Sequence, residues 1–134
     1  MTGRTGVLLT AFGGPDSLDA VGPFIARFMG RTPPEAVVAS ARAKYRAIGG
    51  ASPLPGIAAA VASSLEHHLR DRGHDVPVRA GMRYWEPSIS SAVDALAAEG
   101  TDRIVMASLS AFASRVTCEA FLVAAHDAAG DAEI

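Results

Sequence analysis

Apolar residues fall along this chain in two alternating rhythms, short β-type runs and longer stretches with helical spacing. Gly6-Val-Leu-Leu-Thr-Ala-Phe12 is almost wholly apolar and is halted by Gly13-Gly14-Pro15, the pattern of a strand buried on both faces. Val76 to Met82 and Arg103 to Leu109 are two further strand-like runs. Between the first two lie three helical segments. Asp16 or Ser17 caps the first, with Asp19 in its opening turn, and Pro23 predicts one turn, a bend, then helix from Phe24 to Met29. Val21, Phe24, Ile25 and Phe28 are its apolar stripe. Arg31-Thr-Pro-Pro34 reads as a loop, and Glu35 to Ile48 as a helix with Val38, Ala41 and Tyr45 on one face, stopped by Gly49-Gly50. Ser52 supplies a capping hydroxyl and Pro53 the first helical position of a long helix, on which Leu54, Ile57, Val61, Leu65 and Leu69 recur until Gly73. Glu86-Pro87 opens another helix through Ile89, Val93 and Leu96 to Gly100. Ser114 to Ala128 forms the last, and Gly130 to Ile134 a polar end.

Strands separated by helices predict a parallel sheet with right-handed crossovers and helices on both faces, a three-layer Rossmann-like α/β domain. Ligands of such sheets bind beyond the carboxyl ends of the strands. Those tips are Phe12-Gly13-Gly14, Arg83-Tyr84-Trp85 and Ser110-Ala111-Phe112, an aromatic and small-residue set suited to something flat and apolar.

Composition narrows the classes. With 134 residues, 49% apolar and 19% charged, the chain has the make-up of one globular domain. A net charge of −2 argues against nucleic acid as a partner, since a phosphate-backbone binder needs a basic face. The single cysteine, Cys118, cannot form an internal disulfide, which makes a reducing cytoplasm the expected location. Val7 to Phe12 is too short for a signal region, and no apolar stretch reaches the roughly 20 residues of a membrane helix, so no transmembrane segment is expected.

Three words in register carry a resemblance. Gly6-Val-Leu-Leu-Thr-Ala-Phe-Gly-Gly-Pro-Asp16, Ala47-Ile-Gly-Gly-Ala-Ser-Pro-Leu54 and Gly81-Met-Arg-Tyr-Trp-Glu-Pro87 resemble successive signatures of the ferrochelatases, and Ser110-Ala-Phe-Ala-Ser-Arg-Val-Thr-Cys118 is similar to the serine-rich segment that follows them in actinobacterial forms. The resemblance implies a lyase that inserts ferrous iron into protoporphyrin IX or coproporphyrin III. It also implies two similar chelatase-type halves facing each other across a cleft, with residues 1–134 as the N-terminal half. Porphyrin and iron enter as substrates, with no firmly held cofactor expected. By resemblance, Phe12 packs over the macrocycle where relatives often carry a tyrosine able to ligate iron, a role phenylalanine cannot take. Ser52 matches a serine that hydrogen-bonds a propionate, at a helix start where backbone N–H groups favour a carboxylate. Lys44 and Tyr45 match a basic–aromatic pair at the cleft edge, Arg31 lies in a loop that gives basic contacts, and Phe121 falls near a position often held by tyrosine. Val61 stands where relatives often have a polar residue. The metal-binding histidine and its acidic partner belong to the family's second half, so no residue is assigned a catalytic or metal-ligating role. Partners are then a porphyrin and either that C-terminal half or a second copy of the chain.

Other residues read more plainly. His67 and His68 are adjacent and lack the i+4 partner of helical metal pairs, His74 sits in a turn, and His126 suits a helix C-terminus. One cysteine cannot hold an iron–sulfur cluster, so Cys118 reads as packing. Tyr84 and Trp85 fit a cleft wall and core packing equally. Gly13-Gly14 lacks the three-glycine spacing of a dinucleotide fingerprint. Two alternatives stand beside the enzyme: a self-pairing small chelatase, and a non-catalytic tetrapyrrole-binding module.

Overall fold

The computed structural model describes residues 3–134. Its sheet has three parallel strands, β1 (Arg4–Ala11), β2 (Val78–Met82) and β3 (Thr101–Ser108), in the order β2-β1-β3. The helices are α1 (Val21–Met29), α2 (Glu35–Ala47), α3 (Leu54–Asp71), α4 (Ile89–Ala98) and α5 (Ala120–Ala129), the last entered through a π-helical stretch at Arg115–Glu119. This is the three-layer α/β arrangement that the alternating pattern predicts. Because successive side chains of β1 point to opposite faces, Leu8 packs with Ile89, Val93 and Leu96 of α4 and with Phe121 and Ala125 of α5. Leu9 packs on the other face, with Ala62, Leu65 and Leu69 of α3 and with Val78. Burying a side chain such as Leu8, Leu96 or Phe121 contributes about 1.5–3 kcal/mol each.

Four details depart from the pattern. Helix α1 runs unbroken through Pro23, which takes the third helical position, where a missing N–H leaves no intrahelical bond unmade. Ser17 accepts from Ala20 N at 3.1 Å and so closes the turn ahead of the helix rather than capping it. On α3 the buried residues are Ala58 and Ala62, while Ile57 and Val61 lie exposed. Alanine lets the helix axis lie close to the sheet, and the bulkier neighbours are turned away. The last helix is not uniform. Ser114 Oγ accepts from Thr117 N at 3.2 Å, and Thr117 Oγ1 donates to Phe112 O at 3.2 Å, which holds the widened first turns.

Boundaries moved by a few residues at the strands. β1 begins at Arg4, β2 only at Val78, and β3 already at Thr101, with an irregularity in the β1–β3 register between Arg4 and Thr5. The C-terminal residues are not merely a polar tail: Glu133 bridges Arg103 in parallel, Ile104 N donates to Glu133 O at 2.7 Å, and Ile134 packs on the α4–α5 cluster. No helix among the described residues is long and apolar enough to cross a membrane.

Candidate functional site

The tips of β1 and β2 are laced together beyond the last rungs of the ladder. Arg83 N donates to Ala11 O and Tyr84 N to Phe12 O, each at 3.0 Å, so the two tips leave the sheet as one edge. Phe12 is held there half-buried, its ring centroid 4.7 Å from Tyr84, 5.3 Å from Phe28 and 6.2 Å from Phe24. Phe28 meets Tyr84 edge-on at 5.5 Å, and Phe24 meets Trp85 at 6.2 Å. These five rings make a ledge of tilted and edge-to-face contacts, the geometry aromatic quadrupoles favour. Phe28 remains 47% exposed, so the ledge is open to solvent at that ring. Two guanidiniums border it: Arg27 over Trp85 at 4.7 Å, also paired with Glu86 at 3.3 Å, and Arg83 over Tyr84 at 5.0 Å.

The Gly13-Gly14 turn fixes what lies beside the ledge. Gly13 has φ +103°, and a Cβ there would stand 3.1 Å from Trp85 N. A Cβ on Gly14 would collide with Ser52 Oγ. Both positions therefore need glycine, the first for its backbone and the second for space. Ser52 N donates to Pro15 O at 2.7 Å and Ser52 Oγ accepts from Leu54 N at 3.2 Å, which pins the start of α3 against the turn. The serine thus sits on one side of the diglycine and Trp85 on the other, with the positive end of an 18-residue helix alongside.

The other candidate residues divide. Lys44 and Tyr45 lie together on α2, along a shallow hollow of about 660 Å³ lined also by Ala41 and Ile48. Tyr45 is half-buried and Lys44 exposed; Arg31 is exposed in the loop after α1. Phe121 is fully buried in the α4–α5 core beside Leu8 and Leu96, so its ring packs the interior and touches no open surface. The third strand tip also falls short. Leu109 N still bonds Thr10 O at 2.9 Å, but Phe112 stands 83% exposed outside the ring cluster, because the chain turns off there towards Ser114. Two tips, not three, build the ledge. Three contributors escaped the sequence reading: Phe24 and Phe28, taken as an apolar stripe, and Arg27, to which the pattern assigned nothing. Two aromatics four apart on a short helix were the available signal. Tyr84 and Trp85 resolve to the ledge. No group of three or more His, Cys, Asp or Glu side chains positioned to hold a metal occurs among the described residues.

Comparison with known proteins decides the family. Residues 4–133 match the ferrochelatase family profile, nearly the whole chain. The chain belongs to the ferrochelatase family. A ferrochelatase of Synechococcus elongatus is 36% identical over 121 residues, covering 78% of this chain and 31% of that protein. A coproporphyrin III ferrochelatase of a Mycobacterium species (strain KMS) is 35% identical over 129 residues, covering 93% of this chain and 37% of its own length. A ferrochelatase of Trichormus variabilis is 36% identical over 123 residues, covering 78% of this chain and 31% of that protein. The chain therefore spans about a third of the length of the curated relatives it matches. The diglycine turn, Ser52 and the Arg83-Tyr84-Trp85 tip lie within the three stretches that carry the resemblance, Gly6–Asp16, Ala47–Leu54 and Gly81–Pro87, and the fold brings them into contact.

Proposed function

We propose that this chain forms the porphyrin-binding wall of a ferrochelatase that inserts ferrous iron into a porphyrin in haem biosynthesis, acting in the cytoplasm as a single N-terminal domain. The observation that carries the reading is the five-ring ledge set beside Ser52 by the Gly13-Gly14 turn. A macrocycle is flat, apolar and large, and stacking on Phe12, Phe28 and Tyr84 removes one of its faces from water. Its propionates are anions. Ser52 Oγ with the N-terminus of α3 offers one of them a hydrogen bond and a favourable dipole, and Arg31, Lys44 and Tyr45 supply the cleft-edge contacts. The chemistry also needs an acceptor for two pyrrole protons and a ligand for the incoming iron. None of the described residues is assigned those parts, which fall to a partner half closing the cleft. The mycobacterial relative's name favours coproporphyrin III as the substrate.

The test is a titration of metal-free coproporphyrin III and protoporphyrin IX, followed by Soret absorbance and fluorescence quenching. Saturable one-to-one binding is expected, tighter for coproporphyrin III, weakened about tenfold by Phe12→Ala and by Ser52→Ala, each of which removes about 1.4 kcal/mol of contact. Iron insertion is expected only when a C-terminal half is supplied. Absence of any spectral change with either porphyrin would refute the reading, and insertion by the 134-residue chain alone would refute the assignment of the metal chemistry to a partner half.

A further inference from the structure

The two edges of the sheet are finished differently. On the β2 side the outward groups are taken up: Glu66 Oε2 of α3 accepts from Val78 N at 2.8 Å, Arg79 Nη1 donates to Val78 O at 2.7 Å, and Met82 N donates to Pro87 O at 2.8 Å. That Val78 N–H, with Arg79 and Arg70, holds the Glu66 carboxyl below the usual glutamate range against a smaller opposing effect of burial. Arg79 Nη2 also meets Glu99 Oε1 of α4 at 2.5 Å, so one guanidinium spans that edge from α3 to α4. On the β3 side the edge is begun and left open. Leu109 N bonds Thr10 O, so the odd-numbered peptides of β3 face β1 and those of Asp102, Ile104, Met106 and Ser108 face outward. Glu133 takes the first outward rung as a parallel partner of Arg103. Its N–H donates to Asp102 O at 3.0 Å, its carbonyl accepts from Ile104 N at 2.7 Å, and its carboxylate meets Arg103 Nε at 3.3 Å. Past that rung no described strand meets Ile104 O, Met106 or Ser108.

We propose that the open edge of β3 is the seam on which the partner half docks, its first element a fourth parallel strand running on from Glu133 with Val105 as its next partner. The proposal rests on the reading of this chain as one wall of a two-part ferrochelatase. The first support is the hand of the connections. The chain passes from β2 across β1 to β3 with α4 on one face, and α5 packs on that same face. A right-handed crossover places α5 there only if the strand it leads to lies further in the same direction, beyond β3. The second support is an uncovered surface beside the seam. On the opposite face α3 lies over β1 and β2, and Val105 of β3 is left 51% exposed, with Leu109 open at the strand's end. Ala59, Ser63 and Glu66 form the flank of α3 towards β2, so Ile57 and Val61, on the other flank of the sheet-facing Ala58 and Ala62, border β3. Both are exposed. Two helix residues and two strand residues thus wall an apolar trough along the open edge. The third support is length: the chain spans 31% and 37% of two ferrochelatases it matches, which leaves chain enough for a strand and for a segment to fill the trough. A free parallel edge beside an apolar trough invites misassociation, and one continuous partner closes both.

The test joins to Ile134 the part of the mycobacterial coproporphyrin III ferrochelatase that follows its matched stretch, and compares this chimera with the 134-residue chain by hydrogen exchange. Expected is exchange of the Met106 and Ser108 amides slowed about tenfold or more in the chimera, beyond any change at Val78 and Met82 on the closed β2 edge. Val105→Lys and Ile57→Lys alter half-exposed positions. Each should leave the urea midpoint of the 134-residue chain where it is, while lowering that of the chimera and opening its added part to protease. Equal exchange of Met106 and Ser108 in the two proteins, an added part that protease strips from the unsubstituted chimera, or a chimera indifferent to both lysines would overturn the proposal. No porphyrin enters these measurements, so a seam that fails here and a ledge that fails its porphyrin titration are separate results.

Discussion

Thr101 opens β3 almost fully buried, and its Oγ1 has no hydrogen-bond partner. Its methyl is the useful half: a Cβ on Gly6 would stand 2.9 Å from Thr101 Cγ2, so strand and side chain are already in close contact. Replacing the hydroxyl by a methyl keeps the shape and removes an unpaid desolvation. Thr101→Val should raise unfolding free energy by about 1 kcal/mol, read as a higher urea midpoint at unchanged slope. Glu66 behaves in the opposite sense. Its folded pKa lies below the unfolded value of about 4.3, so the stability it contributes is complete above that value and disappears as pH falls through the folded one. In denaturation series from neutral to acid pH, wild type and Glu66→Gln should differ most near neutrality and converge at the acid end. At this scale the sequence spoke unevenly. Gly13 and Gly14 announced a special turn, but nothing in the string says that one faces Trp85 and the other Ser52. That depends on which strand neighbours β1, a long-range fact.

Helices show where pattern suffices and where it fails. Ser88 is the N-cap of α4, its Oγ accepting from Ser91 N at 3.0 Å, and Ser88→Ala should cost about 1 kcal/mol in thermal or urea unfolding. The sequence pointed to Glu86-Pro87 for that start, two residues early. The whole order of strands and helices was legible, because long apolar periodicities survive any tertiary context. The face of α3 was not: large aliphatics dominate a hydrophobic stripe, yet the sheet selected Ala58 and Ala62 for closeness and left Ile57 and Val61 outside. Aromatics were misassigned in both directions for one reason. Phe121 and Phe28 have the same chemistry, and only the packing of α5 beneath the sheet and of α1 beside the strand tips separates a core ring from a surface one.

For the molecule as a whole, that separation gives a test in which stability and binding part company. Phe121→Ala empties a fully buried site and should cost about 3–5 kcal/mol of stability. Phe28→Ala trims a half-exposed ledge ring and should cost about 0.5–1.5 kcal/mol, while weakening porphyrin binding more than Phe121→Ala does in whatever fraction of that variant stays folded. Urea titration paired with fluorescence quenching reads both. The ferrochelatase family itself was legible from three short words, since their order and spacing hold across the chain. The partition of site residues between the α2 hollow and the ring ledge was not, because it is set by how α1 and α2 hang off the sheet.

The placement of Leu8 and Leu9 on opposite sides of the central strand has a consequence for how this scaffold tolerates insertions and deletions. Losing one residue between Val7 and Thr10 would exchange the two leucines between layers and drag the diglycine along by one rung. Two cores and the ring platform would be lost in a single genetic event. Helix α2 has no fully buried side chain, so the same event there leaves both cores in place and costs only the Lys44–Tyr45 contacts. Indel tolerance should thus be sharply polarised along the gene, near zero in the first strand and highest around residues 35–47.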